Sequence, residues 1–395
     1  MTNTERDNRF MALALRLAAR GRGATSPNPM VGAVIVAGNR IVGQGYHRRA
    51  GGPHAEILAL QSAGSLSRSA TLYVTLEPCC HEGKRTPPCV PALIESRLRR
   101  IVVAMRDPNP SVSGRGISLL RRAGIRVSVG CLRKEAEQLN EIYCHWMKTG
   151  RPYVLLKTAM TLDGKIATAT GESRWITGTE ARRDAHRLRS RVDAIMVGIG
   201  TVLHDDPRLT ARLPGYKAVR LSSPQAGAAR RRQPLRVVLD SRLRIPDKAK
   251  VLSPYGGTGR PIGAMIVTTE KAPTHRIEQL RARGLSLLVL PAKDGRVPLS
   301  ACLIRLGQLG VSSLLIEGGS DLNAAVLREG LVNRIRFYLA PCLLGGQDAR
   351  GGIGGRSPMR LSEAIRLTDI LVRRLGRDLV IEGQIRSEER IENRE

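Results

Sequence analysis

The amino-acid sequence predicts two consecutive layered α/β domains, and three observations carry this. The chain has 395 residues, 42% hydrophobic and 25% charged, which is ample for a buried core but long for one domain. Short runs rich in β-branched residues alternate with helical runs, as in sheets covered by helices. A break at MKTGRPY (147–153), carrying Gly150 and Pro152, separates two strongly patterned regions.

The first half opens with an amphipathic helix from about Asp7, with Phe10, Leu13 and Leu17 on one face. SPNPM (26–30) is a turn, and VGAVIVAGNRIVGQGYH (31–47) reads as two strands joined at Gly38-Asn39, a hairpin signal. PHAEILALQSAG (53–64) is a helix whose first turn suits Pro53 and whose stop is Gly64. ATLYVTLEP (70–78) is a strand, VPALIESRLRR (90–100) a helix, RIVVAMRDP (100–108) a strand, ISLLRRAG (117–124) a helix and IRVSVG (125–130) a strand. This domain is complete by about residue 147.

The second series begins with the strand PYVLLKTAM and the helix TEARRDAHRLRS. Strands follow at DAIMVGIG, PLRVVLD, GAMIVTT, LSLLVL and VSSLLIEGG, then a helix at LNAAVLREG and a strand at RIRFYLAP. Residues 213–234 have little periodicity and are expected to form a surface loop, and the last ten, RSEERIENRE, a disordered tail. The halves show no internal repeat.

The balance of 64 Lys+Arg against 34 Asp+Glu gives a net charge of +30, which attracts anions of any kind. The basic residues are scattered rather than gathered into a stripe, which fits a compositional bias better than a nucleic-acid surface. Aromatics, at 3%, are too few for a base-stacking platform. The odd count of seven cysteines and the absence of an apolar export or spanning segment point to a reducing, cytoplasmic setting with no membrane contact.

The chemistry concentrates in PHAE (53–56) and LEPCCHEGKRTPPC (76–89). A catalytic zinc site uses three Cys or His ligands and leaves one position open, and His54, Cys79 and Cys89 supply that number. Cys79 is expected where a helix N-terminus would stabilise a thiolate, with His54 in the first turn of its own helix. Cys80 competes with Cys79, but adjacent cysteines rarely both reach one ion. Glu56, two residues from His54, is placed as the proton carrier between activated water and a leaving amine, giving the H-x-E…P-C pattern of zinc nucleobase deaminases. Cys131, Cys144, Cys302 and Cys342 read as core thiols.

Three stretches, TSPNPMVG (25–32), GYHRRAGGPHAE (45–56) and EPCCHEGKRTPPC (77–89), make the first 147 residues resemble the deaminase half of the bacterial bifunctional riboflavin biosynthesis family, RibD. The family pattern carries one basic residue before TPPC, whereas this chain has Lys84 and Arg85. The resemblance implies a cytidine-deaminase-like three-layer α/β/α fold, and implies that Asn28, His47, His81 and either Lys84 or Arg85 hold a pyrimidine and its ribose phosphate. Asn28, between two prolines, is equally suited to forming a turn.

VLLKTAMTLDGKIA (154–167), GESRWITG (171–178), GTVLHDDPRLTAR (200–212) and LLIEGGSDLNAAVL (314–327) resemble the reductase half of the same family, a relative of dihydrofolate reductase in fold. The residues alone show less: IEGGSDLNAAVL is a strand, a Gly-Gly turn with Asp321 as the expected N-cap, and a helix, which is either a phosphate-binding helix start or an ordinary turn. The resemblance places NADPH against Ala159, Trp175, Thr201, Asp205, Ser241 and the segment Gly319, Ser320, Asp321, Leu322, Asn323, Ala324 and Ala325. It places Ser173, Arg189, Leu209, Arg212 and Glu317 at the sugar phosphate, with Lys157 and Asp205 as the ionisable groups assisting ring opening and protonation.

The boundaries implied are 1–147 for a zinc-dependent deaminase and 152–386 for an NADPH-dependent reductase. The implied reactions are hydrolytic deamination of 2,5-diamino-6-ribosylamino-4(3H)-pyrimidinone 5′-phosphate and reduction of the ribosyl chain to ribityl, by an enzyme that forms homo-oligomers through its second domain. The alternatives are a zinc-dependent RNA or nucleoside deaminase with an accessory domain, against which the ten-residue cysteine spacing counts, and a non-catalytic module with a closed four-ligand zinc.

Overall fold

The computed structural model describes residues 2–81, 86–213, 233–253 and 263–385. The chain divides into two compact units, Met1–Gly150 and Arg151–Glu395.

The first unit begins with α1 (Asn3–Ala18), fixed by a capping box in which Thr2 accepts the Glu5 amide and Glu5 accepts the Thr2 amide. The helix therefore starts before the expected Asp7, because the box lies ahead of the apolar periodicity. The hairpin β1 (Gly32–Ala37) and β2 (Arg40–Tyr46) turns at Gly38-Asn39, with Gly38 at φ 58°. Then follow α2 (Ala55–Ala63), β3 (Thr71–Leu76), α3 (Cys89–Glu95), β4 (Arg100–Met105), α4 (Arg115–Arg122), β5 (Arg126–Val129), α5 (Arg133–Leu139) and α6 (Glu141–Thr149).

The sheet order is β2-β1-β3-β4-β5, with β3, β4 and β5 parallel. Gly43 and Gly45 pair with Ile35 and Ala33 and face α2, where a Cβ would come within 2.3 Å of Ala59 O and 2.5 Å of Ala55 O. Gly32, on the other face, packs as tightly on α1. The two helices thus cover opposite faces, making three layers. The fully buried Leu72, Ile101, Val103, Leu93 and Leu120 fill the core.

Two expectations change here. α5 and α6 were not anticipated, because the charged, short segments of 133–146 carry no long apolar stripe. α6 also runs through 147–149 of the expected linker, which shortens the break to Gly150, its left-handed C-cap at φ 66°, and the residues up to Pro152.

Asp7 ties α1 to the sheet: its carboxylate accepts Tyr73 Oη at 2.9 Å and both Arg100 Nη atoms at 3.0 and 2.6 Å. Asp7→Asn leaves the guanidinium without its charge partner and is expected to cost the first unit about 1–3 kcal/mol, measured by denaturant unfolding.

The second unit contains β6 (Tyr153–Thr161), β7 (Lys165–Ala167), α7 (Thr179–Arg189), β8 (Ala194–Gly198), α8 (Ile199–Asp205), β9 (Leu235–Leu239), β10 (Ala264–Thr269), α9 (Thr274–Ala282), β11 (Ser286–Leu290), α10 (Leu299–Gln308), β12 (Ser313–Ile316), α11 (Ser320–Arg328), β13 (Arg334–Ala340), β14 (Arg350–Gly351), β15 (Leu367–Leu375) and β16 (Asp378–Ile385). The main sheet runs β11-β10-β9-β8-β12-β6-β13-β16-β15, parallel from β11 to β13 and antiparallel through β16 and β15.

Because β12 inserts between β8 and β6, the C-terminal ends of these three strands lie side by side, the edge at which such sheets present ligands. The hairpin β15–β16 escaped the sequence reading because β15 is an edge strand exposing Ile370, Leu371 and Val372 in succession, without alternation. The loop expected at 213–234, apart from 213, 233 and 234, and the tail at 386–395 lie outside the described residues, as do Lys84 and Arg85.

Candidate active sites

In the first unit, His54 is the extended N-cap residue of α2, Cys89 opens α3, and Cys79 lies just past the end of β3. One ligand atom from each falls within 4.8 Å of the others. His54 Nδ1 lies 3.2 Å from Cys89 Sγ and 3.4 Å from Cys79 Sγ. Among the described residues this is the group of three that can hold a metal ion, and Cys80 stands outside it. Two sulfurs and an imidazole nitrogen suit zinc.

The helix N-terminus expected at Cys79 belongs to Cys89 instead. Its effect still reaches Cys79, whose Sγ accepts the Cys89 amide at 3.4 Å and whose carbonyl accepts the same amide at 3.0 Å. The hydrogen bond from the Cys89 thiol, with His54 adding to it, pulls the Cys79 thiol well below its ordinary range against the effect of burial. Cys89, as the donor, is pushed up by that bond and by burial. Glu56 is 4% exposed in the first turn of α2, and burial, reinforced by the neighbouring Cys79 charge, raises its carboxyl to about 7. A carboxyl poised near neutrality can take up and release a proton.

With His54 Nδ1 turned to the sulfurs, Nε2 lies 3.1 Å from Thr86 Oγ1. A ligating histidine is oriented by such a partner on its far nitrogen. Thr86→Val is expected to weaken zinc binding about tenfold, measured by chelator competition. Thr86 was missed in the sequence because only its place in TPPC marks it.

Asn28 and His47 come together beside this centre. His47 is buried, which lowers its pKa and keeps it neutral. Its Nδ1 donates to Pro53 O at 3.1 Å, leaving Nε2 to accept Asn28 Nδ2 at 3.2 Å, and its ring stands edge-on to His54 with centroids 5.4 Å apart. Asn28 also forms a turn, its amide bonded to Thr25 O at 2.8 Å, as its place between two prolines suggested. Asn140, not singled out in the sequence, clamps the next turn residue by accepting Met30 N at 2.8 Å and donating to Met30 O at 3.0 Å. His81 is half-buried two residues beyond Cys79.

In the second unit, Lys157 on β6, Arg189 at the end of α7 and Glu317 just after β12 converge. Arg189 grips Glu317 with two prongs, Nε to Oε1 at 2.8 Å and Nη2 to Oε2 at 2.5 Å, and Nη1 donates to Thr210 O at 3.3 Å. The fork that would suit a phosphate is thus made to a carboxylate. Burial would raise Glu317, but Arg189 and Lys157 hold it at about 2. Burial lowers Lys157, opposed by Glu317 and aided by Arg189, and its Nζ sits 5.6 Å from the Tyr338 ring centre. Asp205 ends α8, and Arg174 donates to its carbonyl.

His186 joins the cluster, accepting the Arg212 amide on Nδ1 at 3.3 Å, and burial together with Arg189 and Arg212 lowers it to about 4. The arginines of RRDAHRLRSR concealed it in the sequence. Leu209 is in the left-handed region at φ 49° with its side chain buried, so its backbone is what it can offer a ligand. Ser173 is half-buried, and Trp175 is 67% exposed with Arg182 stacked at 4.6 Å.

α11 begins at Ser320 with Gly319 as N-cap, so Asp321 is a first-turn residue and not the cap expected from the sequence. A Cβ at Gly318 would strike Leu322 at 2.8 Å, and one at Gly319 would lie 3.8 Å from Thr201 Oγ1, which places Thr201 beside this helix start. Space is open at Gly198 and Gly200. A helix N-terminus with no side-chain cap beside such space fits a dinucleotide phosphate. Leu322 and Ala325 are half-buried and Ala324 buried on α11, and Ala159 is half-buried on β6. Asn323 is fully buried, donating to Thr158 Oγ1 at 3.2 Å and Gly352 O at 2.8 Å, and Ser241 Oγ accepts the Val297 amide at 3.1 Å. These two side chains are engaged within the fold.

Comparison with known proteins accords with both sites. Residues 4–105 match the cytidine and deoxycytidylate deaminase zinc-binding region, and residues 152–381 match the RibD C-terminal domain. The riboflavin biosynthesis protein RibD of Actinobacillus pleuropneumoniae is 43% identical over 379 residues, 96% of this chain and 95% of its own. The chain belongs to the RibD family.

A solved RibD structure from Acinetobacter baumannii is 37% identical with a TM-score of 0.83, covering 98% of this chain and 100% of that one. A Thermotoga maritima structure, described as a diaminohydroxyphosphoribosylaminopyrimidine deaminase/5-amino-6-(5-phosphoribosylamino)uracil reductase, is 31% identical with a TM-score of 0.79 over the same shares, 98% and 100%. Like other RibD family members, the chain is a bifunctional deaminase and reductase of riboflavin biosynthesis, with a cytidine-deaminase-like first domain and a RibD-type reductase domain after it. The reading as an RNA deaminase with an accessory domain falls, as does that of a non-catalytic zinc module, since the second domain is itself a reductase. Among the described residues no helix is long and apolar enough to cross a membrane.

Proposed function

We propose that residues 1–147 deaminate 2,5-diamino-6-ribosylamino-4(3H)-pyrimidinone 5′-phosphate and that residues 152–386 reduce the ribosyl chain of the product to ribityl with NADPH. The observation that carries this is the His54, Cys79 and Cys89 triad with the buried Glu56 beside it. The three residues would hold zinc, which when bound supplies an activated water at neutral pH. Glu56 takes up a proton in this step and delivers it to the departing amino nitrogen, its carboxyl standing in the first turn of α2 beside the ligands. Asn28, fixed by neutral His47, presents an amide to the pyrimidine edge, while His81 and Lys84 or Arg85 serve the ribose phosphate.

In the reductase, NADPH supplies hydride, and the start of α11 with Thr201 would receive its phosphates. Ala159, Trp175, Asp205, Ser241 and the residues through Ala325 border the cofactor. Lys157, lowered by burial, exchanges a proton with the opening sugar, while Ser173, Leu209, Arg212 and the Arg189–Glu317 pair orient the substrate. The enzyme is assigned to the cytoplasm as a homo-oligomer acting on a small molecule, with no specific nucleic-acid partner. Supplying the diaminopyrimidinone ribosyl phosphate to zinc-quantified protein should release ammonia first and consume NADPH second. No ammonia at one zinc per chain would sink the deaminase assignment, and NADH working as well as NADPH would sink the cofactor assignment.

A further inference from the structure

Glu77 is a buried carboxylate that neither reaction uses. It is 2% exposed at the end of β3, immediately before Pro78 and the ligand Cys79. Its oxygens accept three backbone amides: Oε2 takes Gly114 N at 2.9 Å and Asp107 N at 3.3 Å, and Oε1 takes Ile117 N at 3.2 Å. Gly114 is the N-cap of α4, stands at φ 81° and has no side chain to cap with, so the third helical residue, Ile117, would be left with an orphan amide. Glu77 supplies that cap from a different strand, and its charge faces the positive end of α4.

The contact is close on both sides of the metal loop. A Cβ at Gly116, inside the first turn of α4, would lie 2.1 Å from Pro78 O, so α4 presses directly on the turn leading to Cys79. From the other side, Cys79 O accepts the amides of Cys89 and Val90, at 3.0 and 3.2 Å. Asp107 extends the grip, since it is buried and accepts Tyr143 Oη at 2.8 Å and Asn109 N at 2.9 Å. We propose that Glu77 is a positioning residue for the zinc centre: by capping α4 across the sheet it sets where Cys79 stands relative to His54 and Cys89. Glutamine at 77 keeps the shape but turns one acceptor oxygen into an NH2 group that must face a backbone N–H.

This inference rests on the zinc reading, and full-length protein tests the two separately. Wild type that binds no zinc would defeat the zinc reading itself. If wild type binds zinc, Glu77→Gln is expected to weaken it about tenfold or more in chelator competition, and to shift the visible absorption bands of the cobalt-substituted protein, while NADPH oxidation by the second unit is unchanged. Unchanged zinc affinity and cobalt spectrum, with only a lowered unfolding midpoint for the first unit, would overturn it and leave Glu77 a stabilising cap. Glu77→Asp, which keeps the charge but draws back from α4, gives the same readout should the glutamine variant not fold. A zinc affinity below that of wild type and an altered cobalt spectrum in Glu77→Asp support the proposal, and wild-type values contradict it.

Discussion

Glu56→Gln is expected to reduce ammonia release by about 10²- to 10⁴-fold, the range for a lost general acid-base group, while bound zinc and NADPH oxidation stay at wild-type levels. The reasoning is geometric. Glu56 lies in the first turn of α2, two residues after His54, yet the triad of ligand atoms is complete without it. Glutamine fills the same buried space without being able to carry a proton. Loss of zinc along with activity would mean that Glu56 is a ligand, and retention of activity would remove it from the chemistry.

Glu317→Gln should be the most damaging single change in the second unit. Its partner Arg189 is 15% exposed and Glu317 8%, so the substitution leaves a buried guanidinium without its counter-charge, at about 3–5 kcal/mol. Thermal unfolding of the second unit should move down and NADPH oxidation fall, with ammonia release preserved. The pH dependence gives the sign. Glu317 sits at about 2 in the folded chain against an ordinary 4.5, so the stability it contributes is present above 4.5 and is lost as pH falls towards 2, about 3 kcal/mol in all. His186, held at about 4 against 6.5, is a neutral half-buried base whose effect is lost between 6.5 and 4. The contribution of Glu317 is therefore read below pH 4, where wild type should lose stability more steeply than Glu317→Gln.

Most of the zinc centre was legible in the sequence because its ligands are rare residue types placed at the ends of recognisable elements: a Pro-His before an apolar helix, a Pro-Cys after a β-branched strand. What set their geometry was less visible. Glu77 acts on amides 30 to 40 residues away, Asn140 on Met30 110 residues away, and no local pattern encodes such contacts. In the second unit the seven parallel strands of the main sheet were found from their apolar runs, whereas α9 and α10 were missed although Leu280, Cys302 and Leu306 bury their inner faces, since their outer faces are basic or mixed. The resemblance placed Arg189 at a sugar phosphate, and only the fold, with Glu317 just after β12 brought against it, shows that its fork is made to a carboxylate.

The central claim is that one chain carries two independent catalysts, a zinc deaminase and a pyridine-nucleotide reductase. The most direct measurement strips the metal from the full-length protein with a chelator and follows two reactions: ammonia release from the diaminopyrimidinone ribosyl phosphate, and NADPH oxidation with the deaminated ribosylaminouracil phosphate supplied ready-made. The account predicts that ammonia release disappears and returns with added zinc while NADPH oxidation is untouched throughout. Ammonia release that survives complete zinc removal, or NADPH oxidation that disappears with it, would contradict the account.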